Sequence, residues 1–269
     1  MANSLRRPPW FAPGSAARIG RMSPEVIGRD LAAQVRAAIC ECAVDRDAAA
    51  DVVRRYVTVG ADGTGYTGRA FDTLRTATSD PDAITSDDLV AVSMLAIQIR
   101  SGRGAIQPES IIALNDRASD AGACLKAIPR NRELHSISTE EFAHWMGSGS
   151  VGEQLWSLIR ECGFGSVATH KLLARKRPLM FPIRDSRVSA RCGFRKEDLW
   201  WSNWWNAFRC ESSELIGSLL DVRARTGVVA SHLGLLRVAD ILLWMDSAGG
   251  DGAASSDEDA SIDEDSDVV

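Results

Sequence analysis

Apolar positions along the chain recur at three- and four-residue spacing, which predicts helices almost throughout. Ser23-Pro24-Glu25 combines a capping hydroxyl, a proline for the first helical position and an acid near the positive end of the helix dipole. Val26, Ile27, Leu31, Val35 and Ile39 then keep helical register. A second helix is expected from about Asp47 to Val57. The glycine-rich stretch from Gly60 to Gly68 reads as a flexible connection, since it lacks the Gly-Lys-Ser/Thr of a phosphate-binding loop. Further starts follow the same grammar. Ser86-Asp87-Asp88 opens a helix through Leu89, Val92, Leu95 and Ala96, and Pro108-Glu109 opens one through Ile111, Ile112 and Leu114. Ser138-Thr139-Glu140-Glu141 begins a short helix carrying Phe142 and Trp145. Alternating strand patterns between regularly spaced turns are missing, so the expected fold class is all-α, a multi-helix bundle.

Composition shifts divide the chain. Residues 1–22 read as a flexible arm and 23–147 as an N-terminal helical lobe, with Gly147-Ser148-Gly149-Ser150 as a joint. Residues 148–248 form a second lobe closed by a helix from about His232 to Asp246. That helix is apolar nearly all round (Leu233, Leu235, Leu236, Val238, Ile241, Leu242, Leu243, Trp244, Met245), as a helix buried at the centre of a bundle must be. Arg237 and Asp240 form its polar edge and are expected to pair with each other or with a neighbour. Residues 249–269, rich in Gly, Ala, Ser and acids, cannot bury enough to fold and are expected to be disordered.

Residues 150–196 carry the most information. Val151, Leu155, Leu158, Ile159 and Cys162 share one helix face; Cys162-Gly163-Phe164-Gly165-Ser166 follows, and then a second helix with Val167, Ala168, Leu172 and Leu173. Helix, Gly-x-Gly turn and helix together have the sequence form of a helix-hairpin-helix. The glycines of such a turn let backbone N–H groups at a helix start take a phosphate oxygen with no side chain involved.

Charge changes the picture in two steps. The chain carries 31 Lys+Arg and 36 Asp+Glu, a net −5 that ordinarily argues against a nucleic-acid binder. Eight of the acids lie from Asp251 to Asp267 with no base among them, so residues 1–250 carry a net +3. Between Gly165 and Lys196 stand Lys171, Arg175, Lys176, Arg177, Arg184, Arg187, Arg191, Arg195 and Lys196, opposed by Asp185 alone. A solvated helix face usually intersperses acids one turn away. Their absence favours salt-sensitive, non-specific contact with a phosphate backbone, DNA being the expected partner. Gly163, Gly165 and Ser166 then offer backbone donors, Lys171, Arg175, Lys176, Arg177, Arg184 and Arg187 supply charge, and His170 touches phosphate. A protein–protein contact with an acidic partner remains open, and the acidic tail is expected to compete in cis for the basic face.

The order Gly163-Phe164-Gly165, helix, Pro182, apolar residues, Asp185, Arg187 and Val188 resembles the helix-hairpin-helix DNA glycosylase superfamily, with Asp185 twenty residues after Gly165. The resemblance implies that Asp185 is a catalytic carboxylate, stabilising positive charge at a sugar carbon and activating water beside a flipped-out base. Val167 stands where bifunctional members have lysine, so monofunctional hydrolysis is implied. The residue-level alternative for Asp185 is a helix N-cap or an ion-pair partner of Arg184, Arg187 or Arg191. A wider set of segments, namely Gly65-Tyr66-Thr67-Gly68-Arg69-Ala70-Phe71, Asp87-Asp88-Leu89-Val90-Ala91-Val92, Lys171 to Pro178, Pro182-Ile183-Arg184-Asp185 and Leu236-Arg237-Val238-Ala239-Asp240, resembles a bacterial family of unknown function over roughly residues 50–246. It implies one architecture joining these segments and supplies no activity.

The remaining chemistry is sparse. Trp201, Trp204, Trp205 and Phe208, with Trp200 beside them, keep helical spacing and are expected to pack in the core rather than to stack on bases. Six scattered cysteines and four histidines show no metal-ligand spacing, so no metal and no cofactor is expected. No apolar run is long enough for a membrane helix, and the start of the chain has no signal-peptide core; a cytoplasmic protein with reduced thiols is expected.

Overall fold

The computed structural model describes residues 30–102, 104–196, 198–209 and 213–247. The helix start at Ser23, the N-terminal arm and the acidic tail lie outside the described residues. The described residues from Leu31 to Ser247 belong to one compact unit. The described helices are α1 (Leu31–Cys42), α2 (Arg46–Val57), α3 (Ser86–Ser93), α4 (Pro108–Asp116), α5 (Ala118–Ala127), α6 (Thr139–Trp145), α7 (Val151–Glu161), α8 (Ser166–Lys176), α9 (Ser186–Arg191), α10 (Trp200–Arg209), α11 (Ser213–Arg225) and α12 (Leu235–Ser247). Among the described residues there is no strand, only an isolated bridge between Ile99 and Ile106. The fold is all-α.

Helices begin where side chains satisfy the free amides of a first turn. Asp45 accepts from Asp47 N and Ala48 N at 3.0 Å, Ser150 accepts from Glu153 N at 3.1 Å, and Ser138 and Glu141 cap each other's backbone reciprocally. Pro108 fills the first turn of α4. One expected boundary moves: α3 stops at Ser93, short of Leu95, and Ala96 adopts a left-handed φ of 62°. That conformation costs an alanine about 1–2 kcal/mol. The early stop leaves the Leu95 carbonyl for the ammonium of Lys171, 2.7 Å away.

The termini of α7 and α9 are built alike. Cys162-Gly163-Phe164 and Cys192-Gly193-Phe194 each put glycine in the left-handed region, with φ of 92° and 70°. Phe164 N returns to Ile159 O at 3.4 Å and Phe194 N to Ser189 O at 2.8 Å, closing both helices with the same six-residue loop.

Helix α12 packs against α1, α2, α9 and α11, while α1 also meets α10, α3 meets α8 and α5 meets α7. Helices from before and after Gly147 therefore interlock, and the segment Gly147–Ser150 is the turn from α6 to α7. As its pattern requires, α12 buries Leu235, Leu236, Val238, Ile241, Leu242, Leu243 and Met245. Each such side chain contributes about 1.5–3 kcal/mol by leaving water. Trp200, Trp204, Trp205 and Phe208 are core residues, with Trp205 stacked on Phe142 at 4.3 Å.

Candidate functional site

The turn between α7 and α8 uses its two glycines for different reasons. Gly163 needs its left-handed backbone, and a Cβ there would sit 2.7 Å from Ser110 Oγ. Gly165 has an ordinary extended backbone (φ −65°, ψ 156°), and a Cβ there would meet nothing within 4 Å. Neither strain nor packing calls for glycine at Gly165. It opens α8 with no side-chain cap on the first turn, and Gly165, Ser166 and Val167 are half-buried, so this end of the helix is approachable. Phe164, 1% exposed, anchors the turn beneath.

The cations expected to face phosphate mostly face inward. From Ala168 to Lys176 every residue of α8 is buried. Lys171 donates to Leu95 O at 2.7 Å and lies 3.4 Å from Asp185 Oδ2. Arg175 holds Asp88 at 3.2 Å and the carbonyls of Phe71 and Leu74. Lys176 holds Asp88 at 2.8 Å and Asp80 O at 2.9 Å. Arg177, 1% exposed, donates to Asp82 at 2.7 Å, to Ile128 O and Pro81 O at 2.8 Å each, and to Leu125 O. The expectation that Lys171, Arg175, Lys176 and Arg177 present their charge to an outside backbone is corrected accordingly. Their donors fasten α8 to α3 and to the loops between α2 and α6, and a buried cation keeps its charge only with such partners.

His170 is corrected in the same way. It is buried between Trp156 and Trp201, with ring centroids 6.1 and 5.8 Å away. Its Nδ1 is 2.8 Å from Ser166 O. A carbonyl only accepts, so this nitrogen carries the proton. Burial, opposed by the Ser166 hydrogen bond and assisted by the nearby Arg184 and Arg160, pushes its pKa down to about 4.

Asp185 caps α9, accepting from Arg187 N at 3.0 Å, and its ion-pair partner is Lys171, not one of the three nearby arginines. Its side chain is 19% exposed while that of Lys171 is 3% exposed, so the carboxylate stands at the surface end of a buried pair. Burial lowers the pKa of Lys171, and Asp185 opposes that shift. Around it, Arg184 lies over Trp200 at 5.8 Å and Arg187 over Trp244 at 5.0 Å, both half-buried. Arg191 binds Asp246 at 2.7 Å and Glu41 at 2.6 Å.

A second buried charge lies behind this one. Arg237 reaches Asp72 at 2.9 Å, Tyr56 Oη at 3.1 Å, Gly68 O at 3.2 Å and its own helix neighbour Asp240, the pair expected from their spacing. Its guanidinium lies 5.2 Å from the Tyr56 ring and 5.3 Å from the Phe71 ring. Gly68 is required here, since a Cβ would meet Tyr56 Oη at 2.2 Å. Burial raises Asp240 to about 6, opposed by Arg237 and assisted by Asp185. Arg237 thus joins the Tyr-Thr-Gly segment to the Leu-Arg-Val-x-Asp helix, and Lys171 of α8 lies near enough to feel the charges of Asp240 and Arg237.

The segments that meet in this way all lie inside one family match. A model described as "Family of unknown function (DUF6308)" matches residues 49–247, roughly three quarters of the chain. The chain belongs to the DUF6308 family. The DUF6308 span ends at the last residue of α12, so the acidic tail falls outside it. No curated protein and no solved structure matches the chain. No helix among the described residues is long and apolar enough to cross a membrane. No group of three or more His, Cys, Asp or Glu among them could hold a metal ion. The best-formed cavity, lined by Phe71, Asp72, Ile183, Leu236 and Arg237 among others, measures about 10 Å³, room for a single water.

Proposed function

We propose that this DUF6308 protein binds the phosphate backbone of DNA, without sequence preference, at the open first turn of α8 and the cations around it. One observation carries the reading: Gly165 leaves the α8 amides uncapped and approachable, with arginines on both flanks. Arg160 comes from α7, donates to Phe164 O at 2.7 Å and lies 5.6 Å from the Trp156 ring. Arg184 comes from the segment before α9, and both arginines act electrostatically on His170 in the first turns of α8. Arg195 and Lys196 extend the face and are exposed. A helix N-terminus with free N–H groups and flanking guanidinium groups suits a phosphate oxygen. The turn with its two glycines is read as a helix-hairpin-helix. Its phosphate ligands are Gly165, Ser166 and Val167 N–H, Arg160, Arg184, Arg187, Arg195 and Lys196, in place of the inward-facing cations of α8.

The test is fluorescence anisotropy of labelled duplex DNA across a salt series. A face neutralising three or four phosphates gives a slope of log K against log salt of about −3. Arg184→Ala/Lys196→Ala should shallow that slope by about 1–2. Gly165→Ala should weaken binding while leaving stability within about 0.5 kcal/mol, since the added methyl enters open space. Absence of salt-dependent binding by the wild-type protein would overturn the proposal and leave an acidic protein partner as the reading of this face.

A second reading, N-glycosidic hydrolysis through Asp185, is favoured by the Lys171–Asp185 pair: a partly exposed carboxylate with a buried cation behind it, in the register that resembles the glycosylase superfamily. It is the lesser reading, because the 10 Å³ cavity neither includes Asp185 nor admits a base. Base release from damaged duplexes by wild type, lost in Asp185→Asn, would promote it.

A further inference from the structure

We propose that Lys171, Asp185, Asp240, Arg237 and Asp72 form a proton-operated latch, in which a proton on Asp240 holds Asp185 on the α9 cap and its departure releases that carboxylate to water. The latch needs no DNA and stands apart from phosphate binding. Its basis is the balance of charge in a buried space. Arg237 binds Asp72 at 2.9 Å and also binds Asp240, while Lys171 pairs with Asp185 at 3.4 Å. These two groups act on each other: Lys171 feels Asp240 and Arg237, and Asp240 feels Asp185 and Asp72. Three carboxylates thus face two cations. Fully ionised, the cluster holds one uncompensated negative charge in an interior where such a charge is costly. A single proton removes it.

Burial decides which carboxylate takes that proton and which one moves. The side chain of Asp240 is 7% exposed, against 13% for Asp72 and 19% for Asp185. Burial penalises the charged form, and it raises Asp240 to about 6, with Arg237 opposing and Asp185 assisting. The latch is therefore closed below about pH 6 and open above it. With Asp240 protonated, the Lys171 ammonium serves Asp185, which caps α9 through Arg187 N at 3.0 Å. One proton then leaves the Asp240 carboxyl for water, and no other covalent bond changes. The ammonium, anchored on Leu95 O at 2.7 Å, becomes shared, and repulsion falls on the carboxylate that can reach water, Asp185. Other charged groups meet α12 elsewhere. Helix α9 brings Arg187 to Trp244 and Arg191 to Asp246, and α1 brings Glu41 to Arg191 and Cys42 to Asp246. Arg223 of α11 donates to Leu233 O, ahead of α12. Glu133 and His135 pair with each other beside Leu235 and Leu236, a turn before Asp240. From α2 comes Tyr56, 3.1 Å from Arg237, a hydroxyl that burial keeps protonated. His170 on α8 titrates near 4, below the range concerned.

NMR of the full chain, titrated from about pH 5 to 7.5, tests the latch. The Arg187 amide proton reports the cap, and the Asp240 carboxyl carbon reports the proton. In wild type both should titrate with one midpoint near 6, Arg187 moving upfield as its bond to Asp185 is lost. The amides of Asp47 and Ala48, capped by Asp45 outside the cluster, should hold still. In Asp240→Asn the Arg187 movement should vanish, whereas a response arising at His135 would survive. If that variant does not fold, Asp185→Asn decides: the Asp240 midpoint should fall by about half a pH unit or more as a neighbouring negative charge is lost. Three results would each overturn the latch. They are an Arg187 amide that stays put while Asp240 titrates, a movement that persists in Asp240→Asn, and an Asp240 midpoint unchanged in Asp185→Asn.

Discussion

Replacing Asp88 with asparagine separates the two roles that the bases of α8 could have. Its carboxylate is 1% exposed and accepts from Arg175 at 3.2 Å, Lys176 at 2.8 Å and Thr85 N at 2.9 Å. The amide of Asp88→Asn keeps the shape and one acceptor for Thr85 but removes the charge, leaving two cations with side chains 3% and 4% exposed and no carboxylate between them. Removing one partner of a buried pair costs about 3–5 kcal/mol. Backbone carbonyls still accept from both cations, which holds the loss toward the lower half of that range. In a unit of this size 1 kcal/mol moves Tm by about 2–4 °C, so the expected fall is about 10 °C. Urea unfolding followed by tryptophan fluorescence measures it. Lys176→Met alone should cost less, because Asp88 retains Arg175, and the double variant Asp88→Asn/Lys176→Met should lose about 1–3 kcal/mol less than the sum of the singles. If Asp88→Asn cost under about 1 kcal/mol, or Lys176→Met weakened DNA binding with stability unchanged, the inward role assigned to these cations would be wrong.

Three further outcomes follow from the same structure. Burial holds His170 neutral, with its pKa lowered from 6.5 to about 4, so its contribution to stability is present above pH 6.5 and lost as pH falls through 4. His170→Gln should therefore lose less stability than wild type between pH 7 and 4.5, read from urea midpoints. Asp240 carries the opposite sign: burial raises it from 3.8 to about 6, so its contribution is present below 3.8 and lost as pH rises through 6. Asp240→Asn should remove that loss; a variant with the wild-type pH profile would refute either assignment. Gly163→Ala, with its left-handed backbone and a Cβ 2.7 Å from Ser110 Oγ, should cost about 1–3 kcal/mol, in contrast to Gly165→Ala.

Legibility in the sequence follows the range of the physics involved. Helix starts are local, and the capping Ser138 and the proline of α4 sit where their spacing puts them, whereas Ser150, read only as part of a joint, turns out to cap α7. Helix α12 is legible because an apolar circumference has one solution. Helices α5 and α11 raise no expectation, being small-residue and mixed sequences whose identity comes from packing. The end of α3 falls short of its apolar pattern because a carbonyl needed by Lys171, 76 residues away, decides it. The turn between α7 and α8 is legible in outline, though only the contact with Ser110 separates the glycine the fold needs from the one it does not.

The charge run of α8 misleads for a reason that is itself physical. A window of 32 residues with nine bases and one acid measures local sequence, whereas a buried cation is neutralised by whatever lies beside it in space. Asp88 precedes Arg175 by 87 residues and Asp82 precedes Arg177 by 95. The sequence does hold a sign of this. Helix α8 places Lys171, Arg175 and Lys176 among Ala168, Leu172, Leu173 and Ala174, leaving no broad polar face, so the cations cannot all reach water without exposing leucines. The run from Arg184 to Lys196 differs, because its bases fall on a six-residue helix and a loop with half-buried and exposed positions. The basic charge that lies near the surface comes from that second group and Arg160, and it is smaller than the +8 of the sequence window.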